Sequence, residues 1–155
     1  MNTQNFDKKL TDKIDSTGVP VQINFAPTIG ESPVLPVFLR EYAKLMEQGY
    51  ATYNLVSNNR SKAIYAVIDN KIIGIMVYDF AEDIVKTTWI NFSFVDEKFR
   101  KRGIFKILHQ VLEEQVKTAG SKKICSAVHV DNDTMLKSAK SVGRLPIFYR
   151  TEKQI

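Results

Sequence analysis

The chain has 155 residues, 44% of them hydrophobic and 25% charged, and carries a net charge of +5 at pH 7. A single domain of this length buries roughly 68–70% of its unfolded surface and needs no metal or disulfide staple. Cys125 is the one cysteine and there are two histidines, which exclude an intrachain disulfide and a metal-ligand cluster of recognised spacing. No apolar run approaches the roughly 18 residues of a membrane span, and the opening MNTQNFDKKL lacks the apolar stretch of a signal peptide. A cytoplasmic protein with no membrane partner is expected.

Residues 1–18 read as an N-terminal arm, because Phe6, Leu10 and Ile14 recur every four residues in polar sequence, as in a short amphipathic helix or a loosely attached segment. Residues 19–155 read as a single domain. VPVQINFA, from Val19, predicts a strand and TIGESP a turn. A helix is expected over 34–48, with Ser32 as cap, Pro33 and Pro36 in its first turn and Gly49 at its end. AIYAVI and KIIGIMVYDF form a hairpin through Asp69 and Asn70, residues that tolerate the positive φ of a tight turn. TTWINFSFV continues as a strand paired with the second of these.

From Ile104 the period changes to that of a helix, with Ile107, Leu108, Val111, Leu112, Val116 and Ala119 on one face and Lys106, His109, Gln110, Glu113, Glu114 and Lys117 on the other, stopped by Gly120. KKICSAVHV is a short strand in which Cys125 reads as a buried, inert thiol. Asp131 or Asn132 caps a last helix ended by Gly143, and RLPIFYRTEK reads as a final strand. The order predicts an α/β protein with a mixed sheet flanked by helices, in which TTWINFSFV and KKICSAVHV are parallel neighbours joined by a right-handed crossover.

FRKRG lies at the carboxyl end of one of these strands, where ligands of open α/β sheets gather. The first backbone N–H groups of the following helix lack intrahelical partners and can point at an anion, Gly103 lets a phosphate approach, and Arg100, Lys101 and Arg102 raise the local potential. The same residues also fit a solvated basic loop whose glycine serves only the turn. A third reading is a nucleic-acid surface using Lys98, Arg100, Lys101 and Arg102, but it lacks the interleaved aromatics of a single-strand platform.

At this point the chain resembles the GCN5-related N-acetyltransferase (GNAT) superfamily, whose signature is Gln or Arg, two residues, Gly, one residue, then Gly or Ala, after a strand and opening a helix. Arg100 to Phe105 matches it with Phe105 in place of Gly or Ala. Asn132 and Gly143, eleven positions apart, and the hairpin containing Gly74 extend the likeness over about Val19 to Arg150. The resemblance implies the GNAT acyl-CoA N-acyltransferase fold, a central, mostly antiparallel mixed sheet with one splayed parallel strand pair. It implies an acetyl-CoA-dependent N-acetyltransferase acting by direct attack of a primary amine in a ternary complex. The amine is unidentified, no metal is called for, nucleic acid is not the expected partner, and a homodimer is left open.

By position, the resemblance implies that Arg102, Gly103, Ile104 and Phe105 surround the pyrophosphate with Arg100 and Lys101 at the rim, that Ser93, Phe94 and Val95 offer main-chain groups to the pantetheine and thioester, and that Asn132 belongs to the cofactor site. A backbone N–H near Ser93 would stabilise the oxyanion. Two family features are replaced: Ala139 stands where a tyrosine often protonates the leaving thiolate, and Trp89 where some members carry a carboxylate base. Ser138, Tyr149 and His129 are the candidates left for moving protons. The missing groups also motivate a second reading, a GNAT-fold coenzyme A sensor or interaction module without efficient catalysis.

Overall fold

The computed structural model describes residues 6–51, 58–81 and 86–147, together with Lys153. Six strands form one sheet in chain order: β1 (Lys8–Ile14), β2 (Pro20–Ala26), β3 (Lys62–Ile68), β4 (Lys71–Ala81), β5 (Thr87–Val95) and β6 (Lys123–Ser126). All neighbours are antiparallel except β5 and β6. Helix α1 (Val34–Glu47) packs on one face and α2 (Ile104–Thr118) on the other, and α3 (Asp133–Ser141) follows β6. The expected mixed sheet with one parallel pair is therefore the architecture observed.

Local chemistry explains most of the element ends. The β3–β4 turn has Asp69 at φ 49° and Asn70 at φ 58°, the paired left-handed residues that match the twist of a two-residue hairpin. The Ser32 hydroxyl accepts from the Val34 N–H at 3.2 Å, so the predicted cap works at the head of α1. Asn132 accepts from the Met135 N–H at 3.2 Å and caps α3.

The N-terminal segment corrects the sequence reading: Lys8–Ile14 is neither a helix nor a loose arm but an edge strand in register with β2. The four-residue spacing was coincidental, since Leu10 falls at an irregularity in the pairing and Ile14 is exposed. The turn that follows is organised by Asp15, whose Oδ1 accepts from the Thr17 and Val19 amides, with Gly18 at φ +82°. On α2, His109 is buried although the periodicity put it on the outer face, and Ala119 is exposed. Arg144 to Ile147 form no strand, and the rest of the predicted final strand lies outside the described residues apart from Lys153.

Two apolar layers hold the sheet. On the α1 side Phe38, Tyr42 and Phe92 pack ring to ring, Phe38 meeting Phe92 edge-on at 5.3 Å. On the α2 side Ile104, Leu108 and Leu112 sit against Met76 and Ile64. Gly74 allows the close seating of α2: a Cβ there would stand 3.1 Å from Leu108 Cδ1, 3.2 Å from Ile104 Cγ2 and 3.3 Å from the Phe94 carbonyl.

Candidate functional site

β5 pairs with β6 only from Thr87 to Ile90, opposite Lys123 to Ser126, yet β5 runs on to Val95. The separation coincides with a bulge: Val77 faces Phe92 and Tyr78 faces Ile90, so Asn91 has no partner on β4. An extra residue bends a strand and sharpens its twist. It also reverses the side-chain alternation, which is why Ile90 packs in the α2 layer and Phe92, two residues on, in the α1 layer. Beyond the bulge the β6 side of β5 is open, and Ser93, Phe94 and Val95 lie there, half-buried.

The strand then leads through Asp96 and a 3-10 turn (Glu97–Phe99) to the head of α2. Asp96 accepts from the Lys98 N–H at 3.0 Å and pairs with Lys71 at 3.3 Å; the hydrogen bond first and the lysines second hold its carboxyl below the usual range. Lys101 has φ +61° and Gly103 φ +80°. A left-handed residue followed by a right-handed helical one turns successive N–H groups toward a common concavity, here those of Gly103, Ile104 and Phe105. They precede the first intrahelical bond, Ile107 N–H to Gly103 O at 3.0 Å. A Cβ on Gly103 would meet no atom within 4 Å, so the space at its α-carbon is open.

The three cations of the loop have different employments. Arg102 folds back: its Nε and Nη2 reach Asp15 Oδ2 at 2.7 and 2.6 Å, its guanidinium covers the Phe99 ring at 5.0 Å, and its carbonyl accepts from the Ser16 N–H at 3.0 Å. The Asp15 side chain is fully enclosed. Burial alone would push its carboxyl up, but the Thr17 hydroxyl, the Val19 and Thr17 amides and Arg102 outweigh it and hold the group well below the usual carboxylate range. Arg100 donates to the Val95 carbonyl at 3.0 Å, and Lys101 is exposed. Asp15 was not singled out in the sequence, although the Asp-Ser-Thr-Gly turn around it was a readable signal.

Phe105 turns inward, half-buried against the α2 layer and stacked on His109 with centroids 6.4 Å apart, so its ring does not stand before the amides. Burial, then the nearby Arg144, pushes the His109 pKa down. Of the proton-transfer candidates, Ser138 donates to the Thr134 carbonyl at 3.0 Å. His129 is exposed, accepts from the Asp131 N–H at 3.2 Å and lies 5.5 Å from the Tyr50 ring. Tyr149 lies outside the described residues. Ala139 is buried and Trp89 exposed. Among the described residues no helix is long and apolar enough to cross a membrane, and no group of three His, Cys, Asp or Glu side chains could hold a metal ion.

The sequence model of the acetyltransferase (GNAT) family matches residues 32–143, from the cap of α1 to the glycine after α3. The chain belongs to the GNAT acetyltransferase family. No curated protein matches its sequence. Among solved structures, this GNAT protein is similar to a ribosomal-protein-alanine N-acetyltransferase from Brucella melitensis biovar Abortus 2308, at 16% identity and a TM-score of 0.67 over 87% of this chain and 99% of the other. It is also similar to an aminoglycoside acetyltransferase from an uncultured soil metagenomic sample, in complex with trehalose, at 18% identity and a TM-score of 0.64 over 86% and 97%. A third, an aminoglycoside N-acetyltransferase in complex with CoA, shares 19% identity with a TM-score of 0.57 over 84% and 99%. At such identities the likeness is one of fold.

Proposed function

We propose that this GNAT protein transfers an acetyl group from acetyl-CoA to a primary amine by direct attack within a ternary complex. The observation that carries the reading is the continuity of the cleft: β5 parts from β6 at Asn91, and the open edge leads to a helix start whose first three amides have no partner among the described residues. A phosphate-bearing thioester fits these residues, because the space at the Gly103 α-carbon is open and the donors are backbone groups. Acetyl-CoA supplies a thioester carbonyl whose thiol leaves without a covalent enzyme intermediate.

The amides of Gly103, Ile104 and Phe105 hold the pyrophosphate, with Lys101 and Arg100 at the rim. Charge-assisted hydrogen bonds contribute roughly 1.5–3 kcal/mol each against about 0.3–1 kcal/mol from the helix dipole, so the amides dominate. Arg102 serves through Asp15, fixing the loop rather than touching phosphate. Main-chain groups of Ser93, Phe94 and Val95 receive the pantetheine arm, and a backbone N–H near Ser93 stabilises the oxyanion. A thiol with a pKa near ~8.5 can take its proton from water, so the buried Ala139 leaves the reaction feasible.

The test is calorimetric titration of the folded protein with acetyl-CoA, followed by thiol release with a panel of amines. Absence of binding heat refutes the reading. Binding without thiol release across the panel favours the coenzyme A sensor, the reading that the buried Ala139 supports.

A further inference from the structure

Free primary amines are protonated at neutral pH, with pKa values of about 7.7–8.0 for an α-amino group and about 10.4 for a lysine-like one. An acceptor therefore arrives as a cation and must lose a proton before it attacks. Asp79 is the carboxylate bound to the residue that opens the cleft. It lies near the end of β4, and its Oδ2 accepts from Asn91 Nδ2 at 2.5 Å and from the Ser61 hydroxyl at 3.0 Å. Two donors on one oxygen fix the plane of the carboxylate, and Oδ1 has no partner among the described residues.

Register supplies a second, independent feature. Asp79 faces Trp89 across β4 and β5. Directly opposed residues share a sheet face with Cβ atoms roughly 4.5–5.5 Å apart. Trp89 is a large aromatic left 44% exposed in the strand that lines the cleft. An oriented carboxylate oxygen beside an exposed indole is a pair suited to an ammonium, which donates charge-assisted hydrogen bonds to the one and makes a cation–π contact with the other. The immediate polar neighbours are neutral. Among charged groups on adjoining elements, Arg60 is exposed ahead of β3, Lys62 alternates to the other face, and Glu41 on α1 is engaged by Arg40 and Lys44. None of them forms an ion pair with Asp79 among the described residues.

We propose that Asp79 and Trp89 form the acceptor subsite, binding a primary ammonium, and that Asp79 takes its proton before attack. The proposal rests on the acetyl-transfer reading. The proton passes from R–NH3+ to the Asp79 carboxylate, directly or through one water. The neutral nitrogen then forms the C–N bond as the C–S bond breaks, with the electron pair leaving on sulfur. The second nitrogen proton goes through water to the thiolate, and Asp79 returns its own to solvent. The sum is amide, free thiol and one released proton.

Asp79→Asn is the direct test, because an amide oxygen can still accept from Ser61 and Asn91 and keep the local fold; Trp89→Leu is the second variant. Each is titrated with acetyl-CoA, then with an alanyl peptide and an aminoglycoside in the presence of saturating CoA, and assayed for thiol release from pH 6 to 10. Expected are acetyl-CoA affinities within twofold of native, amine binding weakened about tenfold or more in both variants, and kcat/KM for Asp79→Asn reduced by about 10²–10⁴ at pH 7. The deficit of Asp79→Asn shrinks as pH rises and solution supplies neutral amine, and that of Trp89→Leu shrinks with it as the cation needed for the indole contact is lost. Native-like amine binding, or a loss equal at every pH, overturns the assignment while leaving the acetyl-transfer reading intact. Acetyl-CoA binding by the native protein with no thiol release from either amine also overturns the assignment. Failure of the native protein to bind acetyl-CoA removes both.

Discussion

Replacing Gly103 with alanine separates two roles that one residue combines. The backbone there has φ +80° and ψ 9°, and a Cβ would touch nothing within 4 Å. The folding penalty is therefore conformational rather than steric, about 1–2 kcal/mol for an L-residue held in the left-handed region. In a domain of this size that lowers Tm by roughly 2–8 °C. If the amides seat the pyrophosphate as proposed, the binding penalty is separate: an added methyl group crowds the anion, and losing one charge-assisted hydrogen bond of roughly 1.5–3 kcal/mol weakens acetyl-CoA about ten- to 150-fold. Gly120→Ala is the control, since Gly120 has φ +95°, no atom within 4 Å of its Cβ, and a place beyond the opposite end of α2. Thermal melts and calorimetric titration at a temperature where both variants are folded should show similar melting losses and an affinity loss only for Gly103→Ala. Unchanged affinity in Gly103→Ala would mean that the glycine serves the turn alone and the anion seat lies elsewhere.

Gly74→Ala forces Leu108, Ile104 or the Phe94 carbonyl to yield, and should cost roughly 1–3 kcal/mol in urea unfolding; an unchanged midpoint would contradict the close seating of α2. Arg102→Met leaves the enclosed Asp15 carboxylate without its cation, so the melt should fall and Asp15→Asn introduced with it should restore part of the loss, whereas additive losses would show the two residues to be uncoupled. Because the Asp15 carboxyl is held below its unfolded value, its stabilisation is full above about pH 4 and declines as pH falls below that; Asp15→Asn should flatten this acid limb in urea midpoints. His109 behaves oppositely in origin but with the same slope. Its folded pKa is depressed, so below about pH 6.5 the unfolded chain takes up the proton first and stability falls with pH. His109→Leu should remove the slope that begins below about pH 6.5, and a persistent slope would assign it to another group.

Local signals carried the site unevenly. The helix entry proposed to seat the anion was legible because a glycine between a strand and an amphipathic helix has few conformational options, and Gly103 occupies the left-handed region a helix entry of this kind needs. The meaning of the neighbouring charge was not. Arg100, Lys101 and Arg102 are equivalent in composition, and only the approach of the β1–β2 turn, 87 residues away in sequence, turns Arg102 into a buried structural pair. Phe105 posed the reverse problem, an aromatic at a position where resemblance calls for a small residue, and its inward packing on His109 answers it.

By itself, the amino-acid sequence determined the helices, the β3–β4 hairpin, the parallel crossover and the family, since these depend on periodicity, capping and turn chemistry within short windows. It misread Lys8–Ile14 because an edge strand is defined by its partner, and a four-residue recurrence of apolar side chains does not reveal one. Tertiary structure alone decided the bulge at Asn91, the point where β5 leaves β6, and the meeting of Asp79 with Trp89. Each depends on strand register, in which one inserted residue reverses every later side chain, and register is set by pairing between distant segments rather than by the sequence of either strand.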